Sequence, residues 1–329
     1  MRLLVFEYVC GGGLAAAPLP PILADAVWML QAQLADACAL PGLRVRSLLD
    51  ARLNLNVPPA VEVQRVQAGG FAAAFAAALD WADAVWLTAP ESDGVLERLS
   101  ERVRAAGRRL LGCAPEAVRV AGSKRATARC LERAGVPVVP TVTRVEALDA
   151  QPLVVKPDDG AGGQDTRRCA TRGAARRWAR RHLGARAVFQ PWLAGEPRSL
   201  SLLCAEGRAR LLAVNRQHVA LRDGLVRFEG VTVNAYADQD GGYQELAARI
   251  AAALPGLWGH VGVDFVDTRH GPVVLEVNPR PTVSYAGLHR ALGRNPLADL
   301  LALPDLPPPA RGSAAVELRL AHEELAHVA

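Results

Sequence analysis

The chain has 329 residues, half of them hydrophobic and 22% charged, an ordinary globular composition long enough for two or three domains and a sizeable core. No run of 18 apolar residues occurs, since "FAAAFAAALDWADAVWL" (71–87) is interrupted by Asp80 and Asp83, so no membrane span is expected. The net charge of +5 has its surplus in "RRCATRGAARRWARRHLGAR" (167–186), where Arg172, Arg176 and Arg180 recur every four residues, as do Arg177 and Arg181. Ala175, Trp178, Ala179 and Leu183 give that segment a helical apolar stripe, and no groove-reading or base-stacking motif accompanies it; it reads as a solvated helix rather than a nucleic-acid patch. The opening "LLVFEYV" carries Glu7 inside the apolar stretch and lacks the parts of a secretory signal. The six cysteines have no paired spacing, as expected of free thiols in a reducing, cytoplasmic compartment.

From residue 1 to about 112, short apolar runs alternate with alanine-rich stretches. "RLLVFEYV", "GLRVRSLL", "DAVWLTAP" and "RRLLGC" read as strands, and 22–39, 71–80 and 91–106 as helices. The alternation predicts an open, mostly parallel α/β layer. The loop "CGGGLAAAPLPP" (10–21) lacks the dinucleotide spacing, because Leu14, Ala15 and Ala16 follow its three glycines; it reads as a plain loop with some substrate contact. A helix is expected from Ser123 to Ala134, closed by Gly135 and Pro137. "PLVVKPDDGAGGQDTRRC" (152–169) reads as strand, glycine loop, strand. Further strands are expected within 187–204 and at 208–216 and 225–232, with a helix at about 242–254 and a last strand pair at 260–267 and 272–278. The tail opens on a proline run and ends in a short helix. From 114 onward the pattern is that of α+β lobes.

The last strand pair carries the most informative residues. Successive strand side chains point to opposite faces, so Val274, Glu276 and Asn278 share one face and Val273, Leu275 and Val277 the other. In "HVGVDFVD", Asp264 shares a face with Gly262 and Val266. If the strands pair as a hairpin, Asp264 stands near Glu276 and Asn278, giving two carboxylates and an amide oxygen suited to Mg²⁺; a polar hairpin without metal is the alternative. Upstream, Lys156 ends an apolar strand and precedes a loop with Gly160, Gly162 and Gly163, whose backbone N–H groups can approach phosphate oxygens. Lys124 lies in "GSKRAT". Neither lysine sits in a true P-loop. With the carboxylates, the two describe a charge-balanced nucleotide site.

Lys124, "VVKPDDGAGGQDT", "FQPWLAGE", Asp264 and "LEVNPR", in that order, resemble the ATP-grasp superfamily of carboxylate–amine ligases over roughly residues 113–290. The resemblance implies an N-terminal α/β domain (1–112), a central lobe (113–189) and a C-terminal lobe with the metal site (190–329). It implies that Lys124 and Lys156 contact ATP phosphates and that Gly162 and Gly163 close over them. Gln190 and Leu193 would border adenine, and the family's ribose contact is either shifted to Glu196 or absent. Asp264, Glu276 and Asn278 would hold two Mg²⁺ ions, with Mn²⁺ as a substitute. Arg280 would stabilise the transferring phosphoryl or acyl-phosphate, and Lys156 would cover developing charge. Arg216 is either a second contact to the acyl-phosphate or substrate carboxylate, or a surface strand residue; Ser284 and Tyr285 are placed near the amine.

"MRLLVFEYVCGGGLAAAPLPPIL", "AGEPRSLSLL", "LAVNRQHV" and "NPRPTVSYAGL" are similar to the tyramine–L-glutamate ligase group associated with methanofuran biosynthesis and one-carbon metabolism. That similarity implies small-molecule substrates, glutamate and an aromatic amine, and no membrane partner, with a homo-oligomer left open. The alternatives are an ATP-grasp ligase of other amino acids or peptide-like tails, and an ATP-binding regulator without chemistry.

Overall fold

The computed structural model describes residues 1–149, 151–160, 162–306 and 314–319. Its first layer is a parallel sheet of β1 (Arg2–Glu7), β2 (Arg44–Asp50), β3 (Val61–Val66), β4 (Ala84–Thr88) and β5 (Arg109–Leu110), in the order β3-β2-β1-β4-β5. Leu3, Leu4, Val5 and Phe6 of β1 are fully buried because both faces of the sheet are covered. Leu3 and Val5 pack with Leu30 and Leu34 of α1 (Leu23–Cys38). Leu4 and Phe6 pack with Phe75 and Leu79 of α2 (Phe71–Trp81) and Leu99 of α3 (Val95–Ala105). The strand order reverses between β1 and β4, which opens a crevice at their carboxyl ends. Glu7 and Thr88, partners in register, sit at its floor.

Two short helices follow, α4 (Pro115–Ala121) and α5 (Lys124–Arg133). The Ser123 hydroxyl accepts from the Ala126 N–H at 3.1 Å and caps α5. A small antiparallel unit comprises β6 (Leu153–Pro157), β7 (Arg167–Cys169), α6 (Arg172–His182) and β8 (Ala187–Pro191), with its own core of Leu153, Val155, Ala175, Ala179 and Phe189. Arginines on α6 face outward, where Arg172 pairs with Asp149 and Arg176 with Glu146.

The larger antiparallel run contains β9 (Glu196–Ala205), β10 (Arg208–Arg222), β11 (Leu225–Tyr236), then α7 (Gly242–Ala253), β12 (Gly259–Thr268) and β13 (Gly271–Asn278). Its order is β13-β12-β9-β10-β11, and β11 meets β7 through Leu225 and Arg167, so the two antiparallel units form one sheet. α8 (Tyr285–Leu292), α9 (Pro296–Leu301) and β14 (Val316–Arg319) complete the described elements. β14 adds to β11, and the proline run and terminal helix expected of the tail lie outside the described residues. Among the described residues no helix is long and apolar enough to cross a membrane. All six cysteines are free thiols.

The reading from sequence omits β3, α4, α8 and α9 and ends β10 and β11 too early. β3 is an edge strand whose Glu62, Gln64 and Arg65 interrupt its apolar pattern, a common device against edge pairing. Gly11, Gly12 and Gly13 are corrected too. A Cβ at these positions would meet Phe6, Val66 and Tyr8 within 2.6 Å, so the glycines pack on the first layer rather than on a ligand.

Asp36 of α1, 3% exposed, locks this layer to α8. It accepts from the Tyr285 hydroxyl at 2.5 Å, and its other oxygen lies 2.5 Å from His289 Nδ1. Asp36→Ala leaves a buried hydroxyl without its acceptor and is expected to cost on the order of 3 kcal/mol. Urea unfolding checks this as a lower midpoint at unchanged slope.

Candidate active site

The β12–β13 hairpin places Asp264 directly opposite Glu276, and Gly262 opposite Asn278. A β-bulge intervenes: Asp264 pairs with Glu276, but Phe265 pairs with Val274, which leaves Leu275 as the extra residue. The expected shared face of Val274 and Glu276 is therefore corrected. Val274 is fully buried with Phe265 in the core, while Leu275, Glu276 and Asn278 line a cleft of about 300 Å³. Asp264 is held from both sides, by the Gln217 amide at 2.8 Å and the Asn278 amide at 3.1 Å. Burial, reinforced by the charge of Glu276, pushes the Asp264 carboxyl well up. Burial would raise Glu276 as well, but Lys124 and Lys156 together hold it below its ordinary value.

Both lysines converge on one oxygen of Glu276, Lys124 Nζ at 3.2 Å and Lys156 Nζ at 3.5 Å. Each is 6% exposed. Lys156 arrives at the end of β6, and burial lowers its pKa, with the neighbouring Lys124 charge adding to the shift against the pull of Glu276. Lys124 is the first residue of α5 and also donates to the Gly160 carbonyl at 2.6 Å. Asp158 fixes that helix start. Its carboxylate accepts from the Ser123 hydroxyl at 2.6 Å and the Arg125 N–H at 2.8 Å, and its carbonyl accepts from the Lys124 N–H at 3.0 Å.

Gly162 and Gly163, with φ of +63° and +69°, line the same cleft in a backbone conformation that glycine adopts without strain. Gln190 and Leu193 line it too; the Gln190 amide donates to Thr141 at 2.9 Å, which leaves its carbonyl as the group available to a ligand. Arg280 closes the wall beside the first layer. Its Nη2 donates to one oxygen of Glu91 at 3.1 Å and its Nε lies 2.9 Å from the other, an ion pair with one hydrogen bond that orients the guanidinium.

Two expected residues point elsewhere. Alternation along β9 directs Gly195, Pro197 and Ser199 into the cleft and Glu196 and Arg198 away from it. Glu196 is tied up behind the sheet by Arg198 at 2.7 Å, the Tyr236 hydroxyl at 2.6 Å and Arg216 at 3.1 Å. Arg216 shares that side because its neighbour Gln217 takes the cleft side of β10. Their placement does not support a ribose contact for Glu196 or an acyl-phosphate contact for Arg216. Tyr285 is likewise out of reach, buried against Trp86 and His260, whereas Ser284 lines the cleft.

The sequence reading misses Glu91, Gln217, Glu7, Thr88 and Asp25, all bordering this site or orienting its residues. Glu7 is a charge inside an apolar strand, and Asp25 a charge in the first turn of an apolar helix; both anomalies are visible in sequence. Among the described residues no group of three or more His, Cys, Asp or Glu side chains could hold a metal. Two carboxylates and one amide suit a hard cation that keeps water and phosphate oxygens in its shell, so the donor set fits Mg²⁺ better than a closed protein cage.

Residues 121–284 match the ATP-grasp domain family, and residues 43–118 match the pre ATP-grasp 3 domain. The chain belongs to the ATP-grasp superfamily. This ATP-grasp protein is 29% identical over 220 residues to the tyramine–L-glutamate ligase of Methanocaldococcus jannaschii, covering 67% of this chain and 61% of that protein. It is 26% identical over 201 residues to the enzyme of the same name from Methanocaldococcus fervens, covering 61% and 59%. The matches thus span about three fifths of each relative's length. In fold, it is similar to an ATP-grasp superfamily protein from Archaeoglobus fulgidus, with a TM-score of 0.72 at 22% identity over 97% of this chain and 92% of the other. It is also similar to the biotin carboxylase domain of a Hydrogenobacter thermophilus 2-oxoglutarate carboxylase, solved with MgADP, with a TM-score of 0.69 at 15% identity over 95% and 73%.

ATP-grasp proteins in general use ATP and Mg²⁺. Asp264→Asn keeps the shape of the side chain and removes its charge. It is expected to reduce Mg²⁺-dependent ADP formation to about 1% or less, a loss of the size that removing one transition-state charge contact produces. The melting temperature should stay close to that of the unaltered chain. Retention of more than a few per cent activity would show that this reaction does not need the Asp264 charge.

Proposed function

We propose that the cleft joins a carboxylate to an amine at the expense of ATP, releasing ADP and phosphate. The observation that carries this reading is the placement of two buried lysines over the in-register pair Asp264 and Glu276, with Arg280 on the same cleft. The γ-carboxylate of glutamate attacks the terminal phosphate to give an acyl-phosphate and ADP. The amine nitrogen then attacks the acyl carbon, phosphate departs with the bonding electrons, and the nitrogen loses a proton to leave the amide. An aromatic amine, tyramine or a tyrosine-like compound, serves as acceptor, in the making of a methanofuran-type cofactor. Support for that pair comes from the two relatives named tyramine–L-glutamate ligase.

The chain's contribution is positioning and charge stabilisation rather than covalent chemistry. Lys124 and Lys156 offer their charges to phosphate oxygens. Arg280, pre-oriented by Glu91, faces the transferring group. The backbone at Gly162 and Gly163 covers the phosphates and keeps water from the acyl-phosphate. Gln190 and Leu193 border the adenine. Asp264, Glu276 and Asn278 would hold Mg²⁺, which when bound neutralises charge on the phosphates. Within this scheme residues 113–189 act as the central lobe and 190–329 as the C-terminal lobe, behind a first domain of 1–112.

ADP release measured with Mg²⁺ and glutamate, adding tyramine, tyrosine and other amino acids one at a time, tests the pair. Release that requires both glutamate and an aromatic amine, with an amide product by mass, is the expected result. Release with a different acid or amine would discard these substrates and keep the reaction class. Binding of ATP without release for any pair would point to a regulator.

A further inference from the structure

One stripe at the start of α1 borders the cleft. Ile22, Asp25, Ala26 and Met29 line the cleft at helical spacing, while Leu23, Val27, Leu30 and Leu34 are buried in the core. That stripe is apolar except for one carboxylate. Phe228 and Val283, also cleft-lining, pack in the same apolar cluster as Ile22.

Asp25 differs from the other acidic groups of this wall. Glu91 is matched to Arg280, and Glu7 accepts the Cys10 N–H at 2.7 Å. Asp25 Oδ1 is shielded from solvent with no hydrogen-bond partner among the described residues. A shielded carboxylate oxygen without a partner costs stability, and such groups are expected mainly where a ligand supplies the partner. Burial drives its pKa up to about 6, against the opposing field of Arg280, which lines the same cleft. The crevice at the β1/β4 strand reversal, where α1 begins, is where open α/β sheets take their ligands.

We propose that Asp25 is the recognition group for a primary ammonium, carried on an apolar or aromatic body that lies along Ile22, Met29, Phe228 and Val283. The inference rests on the ligase reading for what then happens to the amine: the ion pair delivers the nitrogen to the cleft that Arg280 also lines, and the ammonium gives one proton to the Asp25 carboxylate before its nitrogen attacks the acyl-phosphate. The site takes an amine with a hydrophobic body and selects against the same body without the positive charge.

Calorimetric titration of the full chain with ADP and Mg²⁺ present tests this, using tyramine and tyrosol, which has the same body with a hydroxyl in place of the ammonium. The unaltered chain is expected to prefer tyramine by on the order of 30-fold or more, the usual consequence of losing a desolvated charge pair. Asp25→Asn should abolish the preference, and Asp25→Glu should recover part of it, which separates lost charge from lost fold. Asp25→Asn should also melt at or above the temperature of the unaltered chain without ligand, because it removes an unpaired charge; a group that merely held the start of α1 would give a lower melting temperature. Equal binding of the two probes by the unaltered chain, or a preference that survives Asp25→Asn, overturns the inference. A preference that depends on Asp25 without any amine-dependent ADP release upholds it and overturns the ligase reading; amine-dependent release indifferent to Asp25→Asn does the reverse.

Discussion

Glu276 carries two buried ammonium groups on a single oxygen, and the rest of the cleft is arranged around that fact. Charges in so dry a place persist only when each has a partner. Lys124 comes from a helix start and Lys156 from a strand end, and they meet because Asp158 fastens the loop after β6 to the first turn of α5. Glu276 reaches them only in the observed hairpin register; a slip of one residue would turn it into the core. In the proposed reaction a triphosphate would offer the lysines new anions, and a divalent cation would offer Glu276 and Asp264 a new positive partner. Each charge would thus stay matched when substrates enter, which is how a buried site binds a polyanion without a large desolvation cost.

The first layer supplies the opposite wall by a different route. β1 and β4 are buried and apolar up to their carboxyl ends, and the reversal between them collects Glu7 and Thr88 in one crevice. Glu7 and Thr88 come from the strand ends, Asp25 from the helix that follows β1, and Glu91 from the segment after β4. Glu91 spends its charge in orienting Arg280, and Glu7 accepts the Cys10 N–H. Continuous apolar clusters run from this layer into the antiparallel sheet, Phe6 belonging to the same cluster as Phe265, and they hold the two walls together.

Much of this was legible in the residues. A carboxylate at Asp264 and another at Glu276, on strands otherwise apolar, announce a polar face, and the ordered spacing of lysines and glycines names the superfamily. Three kinds of feature were not legible. The bulge at Leu275 changes which side chains share a face, and alternation counted along one strand cannot reveal a residue inserted relative to its partner. Glu91 finds Arg280 across 189 residues of chain, so nothing local marks it. Motif order points to Glu196 and leaves Arg216 open between a cleft contact and a surface strand residue, and the pleat turns both behind the sheet, where they satisfy one another. Asp25 and Glu7 lie between these cases: each is an acidic residue in an apolar element, visible as an anomaly, while its meaning depends on where the crevice opens.

The central claim is that the cleft activates a carboxylate by transferring phosphate to it. Glutamate carrying heavy oxygen in its γ-carboxylate, turned over with Mg²⁺, ATP and the accepted amine, reads this directly by mass spectrometry of the released phosphate. Passage through an acyl-phosphate places one labelled oxygen in inorganic phosphate and leaves the nucleotide unlabelled. Label in AMP, or amide formed with no label in phosphate, would contradict it.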